Sequence, residues 1–299
     1  MSQPKKNEQQ PDKKRFVIVT GNKGGTGKST FARALFDYYL SKKINCIGYD
    51  SDIANPQLER HFAPQLVHCI NIFQRGGADR LVSDLEESPY DLVLVDMGAQ
   101  TSGYFYDFEK EVSFFDLLEE LGYRVTMASV LSRVKDSVNT LDMLQKYCGN
   151  RVDHVIVKNR FFASEEQSFV RYDTWSGRQK MLDDGAKEIE IPDLFASTYD
   201  FIDTYNISFF DGMMNFSDEK GLKITIGRIK SWLGDFEKNI KLANDYLGLN
   251  TPSMSEEDFN RTLGVLLDKS RETKKNHYKV EAEAKAQAKA KATSENQAA

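Results

Sequence analysis

Residues 16–31, FVIVTGNKGGTGKSTF, carry two lysines, Lys23 and Lys28, around the glycines Gly24, Gly25 and Gly27. Glycines lack a Cβ, so consecutive backbone N–H groups can close on phosphate oxygens. A β-rich run enters the segment and a helical pattern leaves it near Lys28. The positive end of that helix adds attraction for an anion. In this setting Lys28 is expected to reach the β- and γ-phosphates of a nucleotide. The Ser29 hydroxyl is expected to ligate Mg²⁺, and Thr26 and Thr30 to complete the phosphate contacts. The strict spacing G-x-x-x-x-G-K-[ST] is not met, because Asn22 occupies the first glycine position.

Phosphate chemistry of this kind needs acidic residues for the metal and for water. Asp96 closes the run DLVLVD and is expected to hold Mg²⁺ through a water. Asp50 and Asp52 follow a second strand-like run, in YDSDIANPQL. A strand-end aspartate can also cap a turn, and that alternative stays open above all for Asp50.

The elements that must position these residues are legible as alternation. Seven runs read as strands, at 15–20, 44–50, 66–73, 91–96, 123–130, 153–158 and 187–191. Amphipathic stretches at 28–41, 76–87, 107–121 and 135–148 lie between them. The order predicts an α/β fold: a mostly parallel twisted sheet flanked by helices, with ligands at the carboxyl ends of the strands. After Pro192 the pattern turns helical, over 218–247 and 255–283. Phe259, Leu263, Leu266 and Leu267 make an apolar face that fades beyond Ser270. The expected organisation is a disordered leader over 1–14, one α/β domain over 15–250, and a C-terminal helix with an Ala/Lys/Glu-rich tail over 251–299.

Composition narrows the function. The chain has 299 residues, 40% of them hydrophobic, enough for a sizeable core, and a net charge of −5. Nucleic-acid contact would therefore need a local basic patch rather than global charge. Three cysteines without a CxxC pair fit a reduced, cytoplasmic setting. The four histidines show no metal-ligand spacing. The charged N-terminus does not read as a signal peptide, and no apolar run is long enough to span a membrane.

The residues KGGTGKST resemble the deviant Walker A motif, K-G-G-x-G-K-[ST], of the ParA/MinD ATPases. The resemblance runs from about Phe16 to about Met213. It implies a P-loop NTPase fold, ATP and Mg²⁺ as cofactors, and an ATP-dependent homodimer. It also implies a use for both lysines: Lys28 binds its own subunit's phosphates, and Lys23 crosses the interface to the partner's. Some members lack the first glycine, as here with Asn22. The family's D-x-D pair assigns Asp52 to the attacking water and Asp50 to support near the metal shell. Its base-reading positions fall on Asn159, in VIVKNRF, and on the proline loop at Pro192, in EIPDL. For Asn159 an ordinary strand-end turn role stays equally open.

The form D-[ST]-D-x-x-N followed by VD-x-GA looks like the plasmid-borne TraL/StbB-type branch, associated with conjugal transfer or plasmid stabilisation. That resemblance implies a plasmid- or transfer-associated protein partner. ParA relatives also bind DNA non-specifically. Lys223, Arg228, Lys230, Lys238 and Lys241 are the candidates for such contact and for nucleoid association, against the plainer reading of a solvated face. The aromatics of GYFYDF (103–108) are read as core packing, with a partner surface as the alternative. Two other functions compete with the switch ATPase: a metabolic ATP-dependent ligase or amidase of the same fold, and a nucleotide-binding adaptor without hydrolysis.

Overall fold

Short β-branched runs with apolar residues on both faces need cover on both sides, and the fold provides it. A computed structural model describes residues 14–21, 23–87, 90–132, 135–162, 169–216 and 221–262. The strands are β1 (Lys14–Thr20), β2 (Cys46–Asp50), β3 (Val67–Cys69), β4 (Leu92–Asp96), β5 (Tyr123–Leu131), β6 (Asp153–Asn159) and β7 (Lys187–Ile191). They form one sheet in the order β3-β2-β4-β1-β5-β6-β7. Every neighbouring pair is parallel.

The helices are α1 (Lys28–Ser41), α2 (Gln57–His61), α3 (Asp79–Glu87), α4 (Ser102–Val112), α5 (Phe114–Glu120) and α6 (Lys135–Cys148). They continue with α7 (Val170–Asp173), α8 (Ser176–Asp183), α9 (Ala196–Thr204), α10 (Phe209–Asn215) and α11 (Lys223–Ile240). Alternate residues of β1 show how the two faces are used. Val17 and Val19 point into a core with Phe31 and Leu35 of α1 and with Trp232 and Phe236 of α11. Phe16 and Ile18 point the other way, towards Phe105 of α4, Phe114 of α5 and Leu144 of α6. The chain after Pro192 is therefore no appendage. Its helices cover one face of the sheet, and the Trp232 indole donates to the Pro192 carbonyl at 2.8 Å.

All seven sequence-read strands are present. The single helix expected over 107–121 is instead two, α4 and α5, broken at Ser113, where φ is +51°. The break lets Phe105 and Phe114 meet edge to face at 6.3 Å in one core, which a straight helix would prevent. The helix expected over 218–247 tightens into a 3₁₀ turn after Ile240 and stops at Gly248, at φ +66°. Of the helix expected over 255–283, residues 256–262 are helical. The rest of it lies outside the described residues, as do the Ala/Lys/Glu tail and the leader up to residue 13.

One buried carboxyl in this packing sets a pH dependence. Asp37 on α1 is 4% exposed and accepts from the Phe210 backbone N–H at 3.2 Å. Burial pushes its carboxyl up from 3.8 to about 7. The folded state therefore holds this proton more tightly than the unfolded chain does. Its contribution to stability is complete below the unfolded value and is lost as pH rises towards 7. We expect Asp37→Asn to remove that slope. In urea titrations, wild type should lose up to about 1.4 kcal/mol per pH unit relative to the variant between pH 5 and 7. A wild-type minus variant difference that is flat across that range would refute the buried, protonated carboxyl.

Candidate functional site

The site begins where β1 stops. Gly21 (φ +152°) turns the chain away from the sheet, and a Cβ there would lie 2.9 Å from the Val130 carbonyl oxygen. The loop then rises through Lys23, Gly24 and Gly25, all exposed, and drops into α1 at Gly27. Gly27 is the N-cap of α1, left-handed at φ +93°, ψ +20°, with no side-chain cap. No acidic residue stands in the first turn of α1. The first amides of a fourteen-residue helix are thus left for a ligand rather than capped. Asn22 lies outside the described residues.

The loop's shape is imposed from inside. Lys28, 6% exposed, folds back and donates to the Lys23 carbonyl at 3.0 Å. Asn159, at the end of β6, donates through Nδ2 to the Thr26 carbonyl at 2.7 Å and accepts from the Phe161 N–H at 3.0 Å. Its amide is thereby engaged inside the protein: it props the glycine loop, a task its sequence position did not announce. Pro192, in the next loop along, has its carbonyl held by Trp232. Thr30 donates to the Tyr199 hydroxyl at 3.4 Å.

Parallel register delivers the carboxylates. Asp96 stands beside Val19 on one side and Asp50 on the other, at the carboxyl ends of β4, β1 and β2. Asp96 is 2% exposed. Its carboxyl is pushed up to about 8, first by burial and then by the Asp50 charge, against smaller pulls from Ser29 and Lys28. The Ser29 hydroxyl lies close, yet neither Asp96 oxygen closes a hydrogen bond among the described residues. Burial likewise lowers the Lys28 ammonium, with Asp96 and then Asp52 opposing. Two buried, unbonded carboxylate oxygens beside a hydroxyl are a hard-oxygen donor set, and they fit a magnesium ion.

Asp50 and Asp52 take different work. One Asp50 oxygen accepts from the Leu58 N–H at 2.7 Å and the Glu59 N–H at 3.2 Å, which caps α2. The other accepts from the Asp52 N–H at 3.0 Å. With both oxygens accepting from backbone amides, Asp50 acts as a cap and brace, the turn alternative its sequence left open. Burial nevertheless pushes it up to about 6. Asp52 is half-buried and accepts from the Asn55 N–H at 3.1 Å.

The serine and glycine of DSD and DMGA prove to be one lock. The Gly98 N–H donates to Ser51 Oγ at 2.9 Å. A Cβ on Gly98 would come within 3.3 Å of Asp52. Gly24 sits opposite Ala99, at 3.9 Å from an added Cβ. Glycine loop, Asp52 loop and the loop after Asp96 therefore meet.

Other expected residues lie elsewhere. In the basic strip, Lys238 pairs with Asp235 and Lys241 with Glu237, while Arg228 stacks on the Phe195 ring at 3.8 Å. Lys223 and Lys230 are exposed on α11. Of the aromatics at 103–108, Phe105 is buried and Tyr106 stacks on Tyr147, whereas Tyr104 is exposed against Phe73. No group of three or more His, Cys, Asp or Glu suited to a metal ion occurs among the described residues. Nor is any helix there long and apolar enough to cross a membrane.

No protein-family model matches the chain. It is 24% identical over 182 residues to "Protein MobD" of Acidithiobacillus ferrooxidans, covering 60% of this chain and 78% of that protein. Among solved structures it overlaps a plasmid partition protein of Borrelia burgdorferi bound to AMPPNP. That overlap has TM-score 0.43 and 16% identity, and covers 76% of this chain and 99% of the other. It also overlaps MinD of Pyrococcus horikoshii with Mg-ADP, at TM-score 0.40 and 13% identity, over 76% and 98%. A nucleotide-binding protein of Archaeoglobus fulgidus with ADP overlaps at TM-score 0.41 and 13% identity, over 64% and 86%.

The propped loop makes a contrast that can be measured. At Gly27 an added Cβ would meet Asn159 Nδ2 at 2.1 Å, whereas at Gly25 (φ +73°) nothing lies within 4 Å. Gly25→Ala should cost only the left-handed backbone penalty, roughly 1–2 kcal/mol. Gly27→Ala should cost clearly more in urea unfolding, with Asn159→Ala recovering part of the excess. Equal losses at the two glycines would show that Asn159 does not press on the loop.

Proposed function

We propose that this chain is a Mg²⁺-dependent ATPase of the ParA/MinD kind, a switch that closes as a homodimer on ATP and reopens after hydrolysis to ADP and phosphate. One observation carries the reading. Lys28 and the fully buried, unbonded Asp96 converge beneath an uncapped helix N-terminus, with Asp52 at the rim.

In this reading the amides of Gly24–Thr30 and the Lys28 ammonium bind the phosphates. Ser29 and Asp96 hold magnesium, which supplies charge neutralisation on the β- and γ-phosphate oxygens when bound. A neighbouring dication also favours the ionised form of Asp96, reversing the effect of burial. Asp52 orients the attacking water, and Asp50 fixes the Asp52 amide. Lys23, exposed at the loop's crest, reaches the partner's phosphates. The base rests near Pro192, with Asn159 supporting the loop beneath. The motifs DSDIAN and VDMGA support assignment to a plasmid-borne, transfer- or maintenance-associated branch that works in the cytoplasm with a partner protein. The pairing of Lys238 and Lys241 with acids leaves Lys223 and Lys230 as the cations on α11 for any DNA contact.

The test is size-exclusion chromatography with light scattering, and phosphate release, on wild type, Lys23→Ala and Asp52→Ala, each with ADP and with ATP–Mg²⁺. Asp52→Ala should bind ATP, dimerise and lose hydrolysis by roughly a hundredfold or more. Lys23→Ala should stay monomeric. An oligomeric state that ignores nucleotide, with Lys23→Ala behaving as wild type, would overturn the dimer switch. Phosphate release stimulated by a small carboxylic acid would move the metabolic ligase ahead.

A further inference from the structure

Asp52 sits on a loop whose start is tied to β4 by the Ser51 N–H, which donates to the Asp96 carbonyl at 3.0 Å, while the Asn55 turn lies beyond the sheet. The next regular element after it is α2, five residues long. A helix of that length has almost no stability of its own. Asp50 and Ser51 hold the start of the loop and the first amides of α2, and from the Asn55 turn the hydrogen bonds lead outward to Arg60.

The Asp52 carboxylate accepts from the Asn55 N–H at 3.1 Å. The Asn55 side-chain oxygen in turn accepts from Arg60 Nη1 at 3.1 Å and from Gln57 Nε2 at 3.3 Å. The second nitrogen of the Arg60 fork, Nη2, donates to Asp203 Oδ1 at 3.0 Å. Asp203 belongs to α9, on a distant part of the chain. It is anchored there by Arg33 of α1, which is fully buried, lies 3.5 Å from the same oxygen, and packs against the Tyr199 and Phe209 rings at 5.6 and 5.3 Å. Gln57 is tied to the same arginine, at 3.4 Å.

We infer that Arg60 is a positioning residue for Asp52, with Asp203 as its anchor. The two arms of one guanidinium span from the Asn55 loop to α9, so a rigid helix seated on the core sets the loop that carries Asp52. A lysine cannot do this, because it offers a point charge without a fork. The same α9 starts four positions after Pro192 and meets Thr30 through Tyr199, so the anchor is shared with the glycine-loop helix. The inference rests on the role proposed for Asp52 in hydrolysis.

The experiment has two arms on full-length protein. In steady-state ATP hydrolysis, Arg60→Ala and Asp203→Asn should each lower kcat about tenfold while KM for ATP stays within about twofold. The double variant should be no slower than the slower single, as expected of two residues in one chain of contacts. Asp203→Glu should restore part of the rate, and Arg60→Lys should not. Unchanged kcat in Arg60→Ala, or a loss carried by KM alone, overturns the inference. The second arm is hydrogen exchange without nucleotide. Amides 52–58 should exchange faster in Arg60→Ala than in wild type, with β1 and β4 unchanged. This arm judges the Arg60 link even if wild type turns over no ATP, an outcome that would sink the ATPase reading instead. Equal exchange at 52–58 sinks the link. If Arg60→Ala fails to fold, Arg60→Lys and Asp203→Asn are read by the same criteria.

Discussion

Three carboxylates share the ends of β2 and β4, and the Lys28 ammonium is close enough to act on two of them, Asp96 and Asp52. This crowding is the constraint on which the site turns. Asp96 is driven to about 8 and Asp50 to about 6 because burial penalises their charged forms. Lys28 is moved down for the same reason, and its attraction to Asp96 and Asp52 only partly offsets the loss. The protein answers for two of the three acids. Asp50 receives three backbone amides, and Asp52 keeps partial contact with solvent and one amide. Asp96 accepts no backbone amide among the described residues, and only the nearby Ser29 hydroxyl and Lys28 charge favour its ionised form. A buried carboxylate left without donors is costly, and it persists where something else completes it. Asp96 and Ser29 would be the residues to hold a divalent cation, whose charge would offset that of the buried carboxylate.

The loops around this charge are shaped by contacts at a distance in sequence. Gly27 can be left-handed without help, but which left-handed loop forms is set by Asn159, reaching from β6 to the Thr26 carbonyl. The Asp52 loop and the loop after Asp96 are held together by Ser51 and Gly98, one supplying a hydroxyl and the other the absence of a side chain. Each contact also explains a residue type. Serine at position 51 accepts the Gly98 amide, and glycine at 98 leaves the room that Asp52 occupies.

The strands were legible in the sequence because continuous apolar runs such as LVLVD admit few alternatives in an α/β chain. All five residues of β4 are buried, as that pattern requires. The helices α1 and α6 were legible for the corresponding reason, a long amphipathic period. The short helices α2, α7, α8, α9 and α10 were not. At four to nine residues they form only because the core beneath them accepts a few apolar side chains, and local propensity carries little of that information. The break at Ser113 was hidden because the residues on both sides favour helix, and only the shared aromatic core demands the turn. The candidate residues of the glycine loop and the strand-end aspartates could be named from order and spacing. The choice between the capping and metal-shell alternatives for Asp50 could not be made that way: the partners it accepts depend on where residues 58 and 59 fold back, a tertiary fact.

The region after Pro192 shows how far such long-range effects reach. By composition it is a change of character, a helical stretch after an alternating domain. In the fold it is part of the site's frame. Trp232 holds the Pro192 loop, Tyr199 meets Thr30 at the first turn of α1, and Asp203 gathers Arg33 and Arg60. A helix that touches the glycine-loop helix at one end of its contacts and the Asp52 loop at the other makes their relative placement a property of the core. Loops alone could not hold that placement, since each would have to meet its own ordering entropy. Fixed to α9, the arrangement is carried by side chains already ordered by packing, and a carboxylate on the loop before a five-residue helix gains the rigidity of the sheet face behind it.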